Sequence, residues 1–434
     1  MSKEQINMKM ELSYKYGFLG LGLGGTSIAA ACADSTAGTN EYPYTALLIN
    51  TNKVDLDKVQ TVNPKTFKKL IGDGKGAGRD ISIGESIFVQ HKNEVQMLME
   101  KHLGDAEFIW IAAGLGGGSG TGSVIQAIGL CLQMKKRFGL ILTIPRANER
   151  STVNSNALKR LNKIYAAMDQ LGPIIVVDNE KLFNEYMAEN PKASLEEYLA
   201  YSNEFVANAI HDKNIITANF GVYGSTNFDS SELGKMLMTP GVLHFARLEL
   251  TAEDLTELDN LATMQDQKAK FIEQLEQQIN KGVLANGFDF KKTKRAALSV
   301  LAHESDAKKL YSGTMAKQLE KLLVDVAPHA TESPVSFHTY TEQQFEKQQI
   351  SKHPVYFYVI LAGLDLPAER IKKMIDTNKA ATADLQTSSS NLFENYVETS
   401  ITSQPQSLTL DAIFESTEKI ESTENDLFEK LGLV

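Results

Sequence analysis

The stretch AAGLGGGSGTGS, Ala112 to Ser123, holds six glycines in twelve positions and directly follows the apolar run Phe108 to Ile111. Glycine gives up more chain freedom on folding than any other residue. What it offers in return is backbone N–H groups that can come close to an anion at a helix N-terminus, so a phosphate is the ligand this chemistry suits. A second run, Gly20-Leu-Gly22-Leu-Gly24-Gly25, follows another apolar segment and fits the spacing G-x-G-x-x-G. Alone, that spacing is a weak sign of a dinucleotide fold, which also wants an acid at the end of the second strand to hold a ribose hydroxyl. Here the second strand ends at Asn50, Thr51 and Asn52. No G-K-[ST] occurs in the chain, so neither loop is a Walker A loop. The third chemical feature is Asn227 with Asp229 and Glu232. Asp-x-x-Glu opening a helix is a capping pattern. The same three-residue spacing also sets two acids on one side of a helix, where they can orient a water for attack on a phosphate. No Cys or His spacing matches a metal site, and no metal ligand is assigned.

Such loops need a scaffold that delivers them to one place. KYGFLGLGL, YTALLINTN, FIWIAAGL, FGLILTIP and PIIVVDN read as continuous apolar strands, separated by helical stretches. That alternation predicts an α/β fold with a parallel sheet covered on both faces. Single helices are expected over residues 85–103 and 306–323, and a long one over 195–220. Beyond residue 240 the pattern becomes strands and helices of a smaller α+β unit. Hydrophobic residues make up 42% and charged residues 23% of the 434, enough for a sizeable core. The net charge of −10 offers no broad basic surface for nucleic acid. Cys32 and Cys131 lie in apolar stretches and read as buried free thiols of a reducing compartment. No segment has the roughly 20 apolar residues of a membrane span, so a cytoplasmic protein is expected.

GLGGGSGTGS at 114–123 resembles the glycine-rich signature of the tubulin/FtsZ superfamily of GTPases, with Ser119 where threonine is commoner. The resemblance extends over most of residues 14–366 and leans toward the TubZ branch, in KYGFLGLGLGG, YPYTALLINTN and FDSSELGKMLMTPGVL. It implies GTP or GDP as ligand with Mg2+ beside it. Gly24, Gly25 and Thr26 would lie under the α- and β-phosphates, and Gly116, Gly117, Gly118, Ser119, Gly120, Thr121 and Gly122 around the β- and γ-phosphates. The loop GAGRD, with Gly78, resembles the segment that senses the γ-phosphate. Glu149 matches a ribose-binding carboxylate. The arginine that FtsZ carries four residues later is Val153 here, and Asn154 or Asn156 stands near enough to replace it. Asn179 and Asn203 match the two guanine readers, a role that suits a side chain with both donor and acceptor. Asn227, Asp229 and Glu232 match the N-x-D-x-x-D loop that hydrolyses the nucleotide of a neighbouring copy.

The resemblance therefore implies a head-to-tail homopolymer, plasmid or phage DNA segregation, and a DNA-binding adaptor of the TubR type, with no direct nucleic-acid or membrane contact. An FtsZ-type division protein and a nicotinamide oxidoreductase are the alternatives. The expected division is a flexible N-terminus over 1–13, a GTP-binding domain over 14–194, a central helix over 195–220, an α+β activation domain over 221–366, a helix over 367–387 and an acidic tail over 388–434. Residues 380–434 hold ten acids against two lysines, which suits a solvated, flexible tail. NDLFEKLGLV within it is a candidate short amphipathic helix that docks on a partner or on another copy.

Overall fold

The computed structural model describes residues 10–37, 41–224, 227–255, 268–341, 353–382 and 424–433. The first unit is a parallel sheet built from runs buried on both faces. Strand β1 (Tyr16–Leu21) pairs with β2 (Thr45–Asn50) on one side and β4 (Phe108–Gly114) on the other. β3 (Thr66–Leu70) adds an edge to β2, while β5 (Phe138–Ile144) and β6 (Pro173–Asp178) continue beyond β4. All six residues of β1 and all seven of β5 are buried, which is why these segments read as unbroken apolar runs. β3, TFKKL, leaves Phe67 and Lys68 exposed and its other residues half-buried, so apolar periodicity does not reveal it.

Helices cover both faces: α1 (Gly22–Ala33), α2 (Lys53–Lys58), α3 (Ile81–Gln90), α4 (Lys92–Leu103), α5 (Ser119–Gln133), α6 (Ser151–Ala166) and α7 (Asn179–Glu189). The single helix expected over 85–103 is broken between α3 and α4 at His91, whose imidazole accepts from the Gly72 N–H (3.1 Å) and meets Glu94 (3.0 Å). A helix over 306–323 is likewise two, Glu304–Leu310 and Gly313–Val326, because Ser312 caps the second by accepting from the Met315 N–H.

Helix α8 (Leu195–Asn219) is entered through a capping box made by Ser194 and Glu197, and it packs along α1. At about 1.5 Å per residue its 25 residues span roughly 37 Å. The second unit follows: β7 (Gly221–Val222), α9 (Ser230–Leu237), β8 (Gly241–Thr251), α10 (Lys270–Lys281), β9 (Arg295–His303), α11 (Glu304–Leu310), α12 (Gly313–Val326), β10 (Val335–Tyr340) and β11 (Pro354–Leu364). The central helix is not the sole link between the units. β8 pairs with β6 at Pro173–Gly241 and Ile174–Val242, making one 11-stranded sheet of order β3-β2-β1-β4-β5-β6-β8-β11-β9-β10-β7.

α13 (Ala368–Thr382) closes back onto α6. The remainder of the helix expected to 387, and the tail to residue 423, lie outside the described residues. The end of the tail corrects the expectation of a flexible segment over 388–434. α14 (Glu424–Leu431) is folded against α6 of its own chain, with Leu427 and Leu431 buried and the Leu433 side chain beside Gly129 of α5. Cys32 and Cys131 are both buried and unpaired. Burial pushes the Cys131 thiol up to about 12 and Cys32 further still, so both stay protonated. No helix among the described residues is long and apolar enough to cross a membrane.

Candidate active site

The two glycine loops meet because β1 and β4 are neighbours and both enter helices at the same sheet edge. A Cβ at Gly22 would lie 2.6 Å from the Gly120 N, and one at Gly24 would lie 3.4 Å from the Gly114 Cα. Neither α1 nor α5 carries an acidic residue in its first turn. Two helix N-termini with unpaired N–H groups and positive dipole ends thus converge on one spot, an arrangement suited to a polyanion.

Much of the glycine is there to bring backbone segments together. At Gly25 a Cβ would lie 2.1 Å from the Ala112 carbonyl oxygen, so α1 can sit on β4 only without it. Gly116 has φ +115° and its missing Cβ would strike Val153 at 2.5 Å. Val153 thus packs beneath the loop. Gly117 faces open space. Thr121 pins the loop from inside, accepting from the Gly116 N–H at 2.9 Å. Thr26 turns its hydroxyl back to the Gly22 and Leu23 carbonyls (2.7 and 3.0 Å), leaving it buried against its own helix. Ser119 is hydrogen-bonded to Thr51 at the end of β2.

The 76–80 loop packs on Gly118, whose Cβ would lie 2.8 Å from the Asp80 carbonyl oxygen. Gly78 and Arg79 both have positive φ, +55° and +66°. For a non-glycine residue that is a strained conformation. Asn156 explains how it is held: its buried amide donates to the Arg79 carbonyl (2.8 Å) and to the Gly116 carbonyl (3.1 Å). Its donor group thus clamps the two loops together. Asn154 is wholly buried and donates to the Glu149 carbonyl at 3.1 Å. Its Oδ1, and Nδ2 of Asn50, are buried without a hydrogen-bond partner among the described residues.

Glu149 is half-buried and folds its carboxylate onto the Arg146 N–H at 3.0 Å. Asn179 opens α7 at the end of β6, and its carbonyl accepts from the Tyr198 hydroxyl of α8 at 3.0 Å. Asn203 lies farther along α8, half-buried. The side-chain amides of Asn179 and Asn203 make no hydrogen bond among the described residues, so both remain available to a ligand.

A latch that sequence reading missed holds the loops that carry Glu149 and Asn179. Arg370 of α13 is buried with Asp178, its Nε 3.0 and 2.9 Å from the two carboxylate oxygens, and it also donates to the Pro145 carbonyl at 2.5 Å. Asp178 in turn caps α7 by accepting from the Glu180 N–H. Glu180 accepts from the Ala147 N–H (2.8 Å) and pairs with Lys373. Burial would raise the Glu180 carboxyl, but the Lys373 and Ala147 hydrogen bonds and the Arg370 charge outweigh it and hold the group below its ordinary range. Nothing in the local pattern of residues 368–373 marks this role.

The carboxylates lie elsewhere. Asp229 caps α9, its Oδ1 accepting from the Ser231 and Glu232 N–H groups at 2.9 and 3.1 Å. Glu232 does not complete the capping box. It turns to Lys235 (2.8 Å), which continues to Glu332 and Arg295. Asn227 is exposed just before them. α9 is fixed beside the start of β1, through the Tyr14 hydroxyl to the Ser230 carbonyl (3.2 Å) and Ser13 to Ser230 (2.8 Å). The first glycine loop leaves the other end of β1, about 20 Å away at roughly 3.3 Å per residue, and the second leaves the same edge from β4. A cleft of about 670 Å³ opens beside α9, lined in part by Tyr14, Arg137, Lys235, Lys294 and Arg295.

Two family profiles match the chain: Tubulin/FtsZ family, GTPase domain, over residues 16–187, and Tubulin-like protein TubZ, C-terminal domain, over residues 226–368. The tubulin-like protein TubZ of Bacillus cereus is 36% identical over 378 residues, covering 86% of this chain and 84% of that protein. Cell division protein FtsZ 1 of Pyrococcus horikoshii is 26% identical over 196 residues, 45% of this chain and 49% of its own. Among solved structures, a GTPγS-form protofilament of Bacillus thuringiensis serovar israelensis TubZ shares the fold with a TM-score of 0.70 at 16% identity, over 92% of this chain and 97% of that one.

Proposed function

Because the chain belongs to the tubulin/FtsZ family, among its TubZ proteins, we propose that this GTPase builds head-to-tail filaments in which one copy holds GTP and the next supplies the acids that hydrolyse it. The observation that carries this reading is the placement of Asp229 and Glu232 at the end of β1 opposite the glycine loops. Acids about 20 Å from the phosphate-binding edge of their own chain can meet a γ-phosphate only on another copy. A contact between two different faces does not close on itself, so it propagates as a filament.

In this mechanism the N–H groups at the starts of α1 and α5 receive the phosphates, and Gly117 and the strained 76–80 loop stand at the exposed side. Asn179 and Asn203 read the guanine edge, and Glu149 takes the ribose. The capping bonds use one oxygen of Asp229 and leave Oδ2 for the attacking water. Glu232 and Asn227 complete its orientation, and positioning is most of what phosphoryl transfer needs. The donor set at the loops fits Mg2+ held chiefly by phosphate oxygens and water, with the Thr51 and Ser119 hydroxyls beside it, since Asp80 is engaged in capping α3. When bound, Mg2+ offsets charge on the phosphates. Loss of the γ-phosphate then weakens the contact that GTP supported.

The biological setting that fits is segregation of plasmid or phage DNA through an adaptor of the TubR type. The match to the TubZ C-terminal domain, and coverage of most of the B. cereus protein against about half of the archaeal FtsZ, favour this over cell division. The test is light scattering and electron microscopy of the purified chain with GTP, GDP or NAD. GTP-dependent filaments, with specific GTPase activity that rises with protein concentration, support the proposal. Concentration-independent turnover by monomers overturns it.

A further inference from the structure

The second unit carries a cluster that the proposed GTPase cycle does not use. His303 ends β9, Asp306 lies in the first turn of α11, and His353 immediately precedes β11. The sheet register brings the ends of these strands together, so a residue 50 positions away in sequence joins a His-x-x-Asp pair. One ligand-bearing atom of each of the three lies within 4.8 Å of those of the others. His353 Nδ1 is 3.2 Å from the Asp306 carboxylate, and the two imidazole rings stack at 3.8 Å between centroids. His303 is buried and the other two are half-buried, so the cluster is partly shielded while keeping a route to solvent.

We propose that His303, Asp306 and His353 form a binding site for a divalent cation of the zinc class. Two imidazoles and one carboxylate are the donor set that Zn2+ favours at a three-ligand site, with water in the fourth position. Tetrahedral bonds of about 2.0–2.2 Å place ligand atoms roughly 3.3 Å apart, so the His353–Asp306 pair already has the required separation and the remaining ligand needs a shift of at most about 1.5 Å. Ser305 supplies the outer hydrogen bond that metal-bound histidines make, its hydroxyl 2.8 Å from His303 Nδ1. That contact leaves Nε2 as the ligand atom His303 would offer. Nδ1 also accepts from the Ser305 N–H, which caps α11. The ion ties together the end of β9, the start of α11 and the residue that leads into β11.

The test uses the untagged full-length chain, stripped with chelator and held in excess Mg2+. Zn2+ is titrated against a competing indicator, and Co2+ is followed by its visible d–d absorption. The expected result is one equivalent of Zn2+ bound, a raised Tm, and tetrahedral Co2+ absorption. His353→Gln and Asp306→Asn should each weaken Zn2+ binding at least 10-fold with unchanged circular dichroism. These two groups are half-exposed, so the variants avoid the folding risk of replacing buried His303. Absence of Zn2+ uptake by the parent chain, or equal uptake by both variants, overturns the proposal and leaves the trio as a hydrogen-bonded cluster.

Discussion

Arg370 and Asp178, 192 positions apart, form a buried ion pair with N···O distances of 3.0 and 2.9 Å, and through it α13 bears on the loop that presents Asn179. Both side chains are almost fully excluded from solvent. Arg370→Met leaves the Asp178 carboxylate buried without its cation. Breaking such a pair from one side costs about 3–5 kcal/mol, whereas replacing both partners with apolar groups is far milder. The expected outcome is a lower Tm and weaker binding of a fluorescent guanine nucleotide, with Arg370→Met/Asp178→Leu more stable than Arg370→Met alone. Unchanged nucleotide affinity in a folded Arg370→Met chain would show that α13 does not support the loops that carry Glu149 and Asn179.

Asp229 caps α9 and, in the proposed mechanism, orients the attacking water; one substitution separates the two. Asn is as good an N-cap as Asp, so Asp229→Asn keeps α9 capped while removing the charge that orients water. Turnover of GTP should fall about 100-fold or more, while GTP binding and assembly persist and filaments outlast those of the parent. Turnover near the parent rate, measured by phosphate release above the assembly threshold, counts against the role.

Gly25 has a packing role beside the phosphate contact proposed for it. Gly25→Ala drives a methyl group to within 2.1 Å of the Ala112 carbonyl oxygen unless α1 moves away from β4. Overpacking of this kind costs about 1–3 kcal/mol or more, so both Tm and nucleotide affinity should drop. The same change at Gly117, where a Cβ meets nothing within 4 Å, should leave Tm nearly unchanged.

Acid sensitivity is expected from His244 and His338. Burial depresses each from 6.5 to about 4. The unfolded chain therefore takes up protons on these rings below pH 6.5, while the folded chain does not until about pH 4. Stability is full above pH 6.5, falls between 6.5 and 4, and levels off below, by on the order of 3 kcal/mol per group. In His244→Gln, whose amide can still donate to the Ile279 carbonyl that His244 Nε2 now meets at 2.8 Å, Tm should decline less steeply over that interval. An identical decline in parent and variant would rule out a contribution from His244.

What lies within a few residues of sequence was legible without coordinates. Apolar runs buried on both faces announce parallel strands, and glycines immediately after them announce helix starts open to an anion. The spacing of Asp229 and Glu232 is equally local. The amphipathic character of NDLFEKLGLV is visible too, but its seat on α5 and α6 of the same chain is not.

The rest was decided by the fold. Asn156 reads in the sequence as a candidate for the ribose contact, and only the fold brings Arg79 and Gly116 from segments 77 and 40 residues away to take its two N–H groups. Thr26 turns inward because a helix offers its hydroxyl the Gly22 carbonyl one turn back. Arg370 finds Asp178, and His353 finds His303 and Asp306, only after strands pair in a particular order. Side-chain periodicity encodes which face of an element is buried, a property of neighbours along the chain. Which distant groups then stand within about 3 Å depends on strand order and register, and those emerge from packing the whole sheet.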